Sequence, residues 1–434
     1  MKHAPSNSGQ RATLSFLIRA LHYRNYRLFF SGQGVSLVGT WMQQIAISWL
    51  VYRLTNSPFL LGLIGFAGQI PTFLLASVAG VFADRHDRRK LLVLTQTLAM
   101  AQAFVLALLT FTGHVAVWHL VILSIFLGFV NALDIPVRQS FVVDLVENKE
   151  DLGNAIALNS VMFNGARLVG PSIAGLLISI VGEAVCFFLN GISFLAIVIA
   201  LLAMKVPERK RESGAVPFFQ GLRDGYRYTF GFAPIRYIIL FLGLVSLMGT
   251  SYLVLMPVFA RDILHGGAHT LGFLMGASGI GALIGAVHLA SRKTVRGLGR
   301  LIVIASSTFG IGLAVFSFSR YIPLSLAMML FVGFGMIVHM ASSNTVLQTI
   351  VEEDKRGRMM SFYAMAFMGM APFGSLLAGS LASAIGAPNT LAISGLACIV
   401  GSALFLTRLP LIRKLVRPIY VQMGIIKEMP SELQ

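Results

Sequence analysis

Twelve stretches of about twenty apolar residues recur along this chain, each long enough to cross a hydrocarbon core about 30 Å thick as a helix. Inside lipid every backbone N–H and C=O must be satisfied within its own segment or a closed barrel, so runs of this length predict helices. The stretches cover 28–52, 58–82, 91–112, 115–136, 153–181, 184–204, 236–260, 269–290, 301–319, 321–343, 359–384 and 388–408. Thr55-Asn56-Ser57-Pro58, Gly113-His114 and Gly386-Ala387-Pro388 read as tight turns between them. Hydrophobic residues make up 56% of the chain and charged ones 12%. Soluble domains carry about a quarter charged residues, so a water-soluble enzyme of ordinary design is excluded. The expected organisation is an N-terminal tail (1–27), a six-helix bundle (28–204), a linker (205–235), a second six-helix bundle (236–408) and a C-terminal tail (409–434). The linker carries Pro207, the charge run Glu208–Glu212 and an amphipathic stretch around Phe218–Phe230. No small-residue cleavage site precedes the first apolar run, so no removable signal peptide is expected.

Lys and Arg number 34 against 17 Asp and Glu, a formal charge of +17. In a soluble protein that excess would suggest nucleic acid. Here it sorts by side. With the N-terminus in the cytoplasm, 30 of the 34 basic residues fall on inner segments, and Arg53, Arg261 and Arg320 fall on outer loops. The bias sets an N-in, C-in orientation beside anionic lipid and removes the nucleic-acid reading. Cys186 and Cys398 both lie in apolar segments and build neither a disulfide framework nor a zinc site.

A weak internal repeat keeps one register. Shifted by 205 residues, Phe141–Glu147 falls on Val346–Glu352, and Gly80 falls on Gly285. Two similar halves imply a pseudo-two-fold axis along the membrane normal with a cavity between them.

The loop after the second stretch reads Gly80-Val81-Phe82-Ala83-Asp84-Arg85-His86-Asp87-Arg88-Arg89-Lys90. It resembles the signature loop of the major facilitator superfamily, with Asp87 where that pattern has Gly. The Asp-Arg-x-Asp-Arg-Arg form, together with Gly39–Gln44 and Trp49–Pro58, is similar to the enterobactin-exporter-like subgroup, the transmembrane secretion effectors. In the second half the loop has decayed, because Leu289 occupies the Asp84 register. The fifth stretch, Asn164-Gly165-Ala166-Arg167-Leu168-Val169-Gly170-Pro171, resembles the Gly-Pro motif of superfamily exporters. The resemblance implies an all-α membrane protein with twelve transmembrane helices in two bundles. It also implies gating by Asp84, Arg85, Arg88 and Arg89 at the cytoplasmic side, and export of a siderophore or similar small amphipathic metabolite.

Polar groups inside the apolar stretches are the remaining signal. Arg167 sits near the middle of its helix, where a charge costs at least about 2.5–3.5 kcal/mol and so should face a cavity or partner. It is the candidate anchor for an anionic substrate group; the plain alternative is a structural partner for neighbouring polar groups. Asp134 is the one carboxylate inside an apolar stretch away from its outer end, and the candidate proton carrier. Pro136 is expected to end regular helix there, and Arg138, four residues on, could simply pair with Asp134. His339 falls on the Asp134 register of the second half, a second titratable candidate. Gln33, Ser36, Thr40 and Gln44 form one polar stripe, and Asn159 lies two turns before Arg167 on the same face. Thr40, Gln44, Asn159 and Arg167 are the expected substrate-lining residues. Ser246 and Thr250 stand one turn apart on the seventh stretch, and Met359, Met360, Met365, Met368 and Met370 read as packing. Glu183 and Asp262, at outer ends, are expected to be solvated, and Leu411–Arg417 reads as an interfacial amphipathic stretch.

No Walker loop, His-Glu-x-x-His or Gly-x-Ser-x-Gly elbow is present. No enzymatic activity, metal or cofactor is therefore expected. The reading is a secondary transporter of the bacterial inner membrane, multi-pass and monomeric, exchanging a small-molecule substrate for protons by alternating access. The alternatives are a broad-specificity drug/proton antiporter, a lysophospholipid flippase and a siderophore importer.

Overall fold

The computed structural model describes residues 19–146, 148–205, 218–249, 251–292 and 294–426. The side chains of 76–78, 80, 81, 83–85, 149, 218–222, 224 and 354 also lie outside the description. The expectations placed on Pro207, Glu208–Glu212 and Thr250, and on the side chains of Asp84 and Arg85, therefore fall outside the described residues.

All regular structure among the described residues is helical. In chain order the helices are α1 (Arg24–Thr55), α2 (Pro58–Arg85), α3 (Arg88–Phe111), α4 (Val117–Asp144), α5 (Leu152–Val181) and α6 (Glu183–Ala203). They continue as α7 (Phe218–Gly231), α8 (Ala233–Gly249), α9 (Ser251–Val258), α10 (Ala268–Ala290), α11 (Leu298–Phe318) and α12 (Ile322–Ile350). The last are α13 (Arg356–Ala364), α14 (Met370–Ile385) and α15 (Ala387–Gln422). Two π-helical segments interrupt the series, Phe259–Ile263 after α9 and Met365–Gly369 between α13 and α14. Among the described residues, eleven segments are long and apolar enough to cross a membrane. The 32-residue α1 is not among them, because Gln33, Ser36, Thr40, Gln43 and Gln44 dilute its apolar content.

Two local expectations are corrected. Pro136 does not end its helix: α4 runs through it to Asp144. Membrane helices tolerate an internal proline where neighbours re-satisfy the freed backbone group. The last apolar stretch, expected to stop at 408, continues as one helix through Pro410 and Pro418 to Gln422.

The chain divides into two compact units, Met1–Ile47 with Leu74–Ser213, and Ser48–Phe73 with Gly214–Gln434. Within the first, Tyr26, Phe29, Leu92, Phe141, Phe194 and Leu201 form a buried cluster. Gly170 lets α5 approach α1, since a Cβ there would lie 2.6 Å from the Trp41 Cβ and 2.8 Å from the Val38 carbonyl oxygen. This is the close packing expected of the Gly170-Pro171 pair.

The second unit is built on backbone contact. A Cβ on Gly281 would run into the Leu330 carbonyl and one on Gly333 into that of Ser278, so α10 and α12 touch along small residues. Gly310 and Gly395 bring α11 against α15 in the same way. The Ser48–Phe73 hairpin turns at Asn56 (φ 49) and packs on α14: a Cβ on Gly62 would lie 2.9 Å from the Gly379 Cα. Phe66 and Phe73 both meet the Phe373 ring edge-on. The amphipathic α7 sets Tyr226 and Phe230 against Phe362 of α13. Leu108, Val161, Ile180, Val287 and Phe318 are among many large apolar side chains left exposed, the surface a bilayer would cover.

Candidate functional site

In the first unit, α1 and α5 carry a partly exposed polar face amid apolar sequence. Arg167 is half-buried, with its guanidinium carbon 5.7 Å from the centroid of the Trp41 ring. Phe163 packs on that ring edge-on at 5.8 Å. A guanidinium over an indole face is attracted by the ring quadrupole. Asn159 is half-buried on the same helix and Gln44 is exposed on α1. The Thr40 hydroxyl donates back to the Ser36 carbonyl (2.9 Å). Gln33 and Ser36, the other members of the stripe, are buried. The stripe thus splits, its first half inside the unit and its second half on the open face.

Asp134 is 3% exposed and engaged from two helices. Its Oδ1 accepts from the Thr95 hydroxyl (2.8 Å) and the Gln96 amide (2.7 Å), both on α3. Its Oδ2 lies 3.5 Å from Arg138 Nε, one turn along α4. Because α4 stays helical through Pro136, the i,i+4 spacing brings these two charges together. The Asp134 carboxylate is therefore tied to Arg138, while Arg167 sits against Trp41.

A second buried network links four helices, α1, α3, α4 and α6. Gln43 donates to Gln102 Oε1 (2.9 Å) and accepts from Asn190 (2.8 Å). The Ser193 hydroxyl donates to Asn190 Oδ1 (3.0 Å), and Gln102 reaches the Leu123 carbonyl on α4 (3.4 Å). The sequence reading passed over Gln102 and Asn190. The signal was there: lone amides in apolar stretches that lipid cannot satisfy.

Around the signature loop, Asp87 is the N-cap of α3, its Oδ1 accepting from the Arg89 and Lys90 amides (2.9 and 3.1 Å). This is what a carboxylate offers where the superfamily pattern has Gly. Arg88 pairs with Asp144 at the end of α4 (2.9 Å) and reaches the Ser140 carbonyl (3.1 Å). Arg89 donates to the Leu201 and Leu202 carbonyls at the end of α6 (both 2.7 Å). Cationic donors at orphan helix-end carbonyls are favourable for both charge and hydrogen bonding. Asp151 meanwhile takes Arg19 (3.1 Å) and the Tyr23 hydroxyl (2.8 Å).

In the second unit His339 is 1% exposed. Its ring meets Phe241 edge-on at 5.0 Å and lies against the Ile302 backbone. Neither ring nitrogen has a well-aligned hydrogen-bond partner among the described residues, and the same holds for the Ser342 and Ser343 hydroxyls one turn on. His288 is exposed beside Phe334, and the Ser246 hydroxyl donates to the Phe367 carbonyl inside a π-helical segment. Glu183 is buried, not solvated as its position at a helix end suggested. Asp262 is exposed but takes the Tyr52 hydroxyl, and Arg261 donates to Asn56 (2.7 Å). Of the methionines, Met359 is fully buried, while Met365 and Met368 are exposed.

A helical chain with these spans has the architecture of major facilitator superfamily transporters. A solved bacterial homologue of the human lysosomal transporter Spinster, inward-facing and occupied, superposes with TM-score 0.70 over 92% of this chain and 98% of its own, at 15% identity. The chain belongs to the transmembrane secretion effector family, whose model matches residues 19–416. It is 26% identical to the staphyloferrin A transporter of Staphylococcus aureus, over 87% of this chain and 95% of that protein. It is 27% identical to the multidrug efflux pump Tap of Mycolicibacterium fortuitum, over 87% and 93%. The protein is thus a multi-pass membrane transporter with siderophore and drug transporters among its relatives, and its family and fold are those of transporters, not enzymes.

Proposed function

We propose that the protein is a proton-coupled secondary transporter of the bacterial inner membrane that exports a siderophore or similar small amphipathic anion by alternating access. The observation that carries the reading is Arg167: a cation at mid-helix, half-exposed on the first unit and stacked on Trp41. Such a group is too costly to face lipid, so it faces a water-filled passage. There Arg167 meets catecholate or carboxylate oxygens through charge-assisted hydrogen bonds, and Thr40, Gln44 and Asn159 line the same wall. Similarity to a staphyloferrin A transporter favours an iron-chelating cargo. Twelve spans with both termini in the cytoplasm agree with the basic-residue bias, counting α1 as the twelfth.

Asp134, a buried carboxylate inside an apolar helix, is the proton candidate of this reading. Protonating it removes the charge facing Arg138 and frees the turn that joins them. His339 is the second candidate, on the matching register. Arg88 and Arg89 hold the ends of α4 and α6 at the cytoplasmic gate, where Asp84 and Arg85 also belong. No second chain enters the reading; the transporter acts as a monomer.

The test compares metabolites in cell pellet and medium by untargeted mass spectrometry, with and without the gene, under iron-poor and iron-rich growth. Trapping of an iron chelator in cells lacking the gene supports export. If no native metabolite moves but drug tolerance falls, the broad-specificity antiporter reading, favoured by similarity to the pump Tap, replaces it.

A further inference from the structure

We propose that a cleft in the second unit binds the anionic headgroup of a membrane phospholipid. The cleft, about 450 Å³, is lined by Arg292, Gly297, Arg300, Leu301, Ile304 and Arg413. Three guanidinium groups converge there, and among the described residues no acidic side chain lines it and none of the three makes an ion pair. Arg292 donates one Nη2 hydrogen bond to the Arg296 carbonyl (3.0 Å), while its Nε is buried without a partner. Converging cations of this kind call for an anion from outside the chain.

The repeat explains why the charges stand unanswered. In the first half Arg88 is answered by Asp144. Shifted by 205 residues, Arg88 becomes Lys293 and Asp144 becomes Thr349, so the second half has no carboxylate at the Asp144 register beside its basic loop. The 21-residue α11 begins at the cleft after Gly297 (φ 80) and has no side-chain N-cap, which adds the positive end of a helix dipole.

Depth and lining select a lipid over a soluble phosphate. The 36-residue α15 is about 54 Å long at 1.5 Å per residue, well beyond a hydrocarbon core of about 30 Å. Its final turns bury Leu409, Ile412 and Val416 and expose Arg413, Lys414 and Arg417. That pattern sets Arg413 at the headgroup level. Leu301 and the half-exposed Ile304 supply an apolar edge along which acyl chains run. Arginine forks match phosphate oxygens in pairs. A lipid seated here would tie the loop before α11 to the far end of α15.

Native mass spectrometry of the full-length protein in mild detergent tests the site, with phosphatidylglycerol, phosphatidylcholine or inorganic phosphate added. Wild type should retain phosphatidylglycerol over phosphatidylcholine. R292Q/R300Q/R413Q should weaken that retention about tenfold or more. R413Q alone, an exposed side chain whose loss leaves packing intact, should weaken it by a smaller factor. R24Q/R27Q, which removes two exposed arginines elsewhere, should leave it unchanged. Equal retention by wild type and the triple variant, equal loss in R24Q/R27Q, or indifference to headgroup charge would overturn the proposal. Displacement of the lipid by millimolar inorganic phosphate would also overturn it, by showing that the cleft takes a free anion.

Discussion

The two compact units of this transporter are held together by different physics. The first is pinned by polar side chains: Asp134 with Thr95, Gln96 and Arg138, Gln43 with Gln102 and Asn190, Arg88 with Asp144. The second is held by glycine-mediated backbone contact, with short serine bridges such as Ser306 to Ser402 (2.8 Å). The contrast is sharpest at matched positions. Asp134 is fully engaged, whereas His339, on its register, sits in an apolar pocket against Phe241.

Substitutions at matched sites should separate the two regimes. The largest effect is expected from Gly333→Ala, where the new Cβ meets the Ser278 carbonyl and the helices must part. Overpacking costs about 1–3 kcal/mol and more when backbone cannot yield, so we expect loss of most folded protein on detergent size exclusion. Gly165→Ala, into open space on α5, should instead stabilise the fold by about 0.5–1 kcal/mol, read as a higher thermal midpoint.

Next comes Asp134→Ala. It leaves Arg138 without its carboxylate and the Gln96 amide without its acceptor, and breaking a buried pair in this way costs about 3–5 kcal/mol. Arg138 is partly exposed, which places the loss at or below the lower end of that range. His339→Phe should cost less, about 1 kcal/mol or under, because no well-aligned hydrogen bond is lost. Thermal unfolding of the two variants in one detergent checks the ranking, and an equal loss would erase the proposed difference between the halves.

Gln43→Leu should fall between these at about 1–3 kcal/mol, since it strands the Gln102 and Asn190 amides. Adding Gln102→Leu should restore part of the loss. A purely additive double variant would mean the network does not act as a unit.

Much of this architecture was legible in the sequence because lipid is a strict solvent. Apolar runs gave eleven of the observed spans, with ends within a few residues for most. Polar residues in those runs marked Arg167 and Asp134 directly. What stayed hidden depended on pairing between helices. Gln102 and Asn190 are each unremarkable alone and gain meaning only when α3 and α6 bring them to Gln43. Pro136 misled because its local preference is to break a helix, whereas neighbouring helices sustain α4 past it. Glu183 misled because the end of a helix was equated with water. The stripe on α1 was read as one environment because Gln33 and Gln44 stand about three turns apart on one face; packing along that face differs, so Gln33 is buried and Gln44 is exposed.

The central claim is that Arg167 anchors an anionic cargo on the first half. Its most direct test is binding of the exported metabolite to purified protein, wild type against Arg167→Ala and Arg167→Lys. Loss of a charge-assisted hydrogen bond of about 1.5–3 kcal/mol predicts affinity weaker by about 10- to 150-fold in Arg167→Ala, with partial retention in Arg167→Lys and unchanged thermal midpoints. Unchanged affinity in Arg167→Ala, with the protein folded, would contradict the account and leave Arg167 as a structural partner of Trp41.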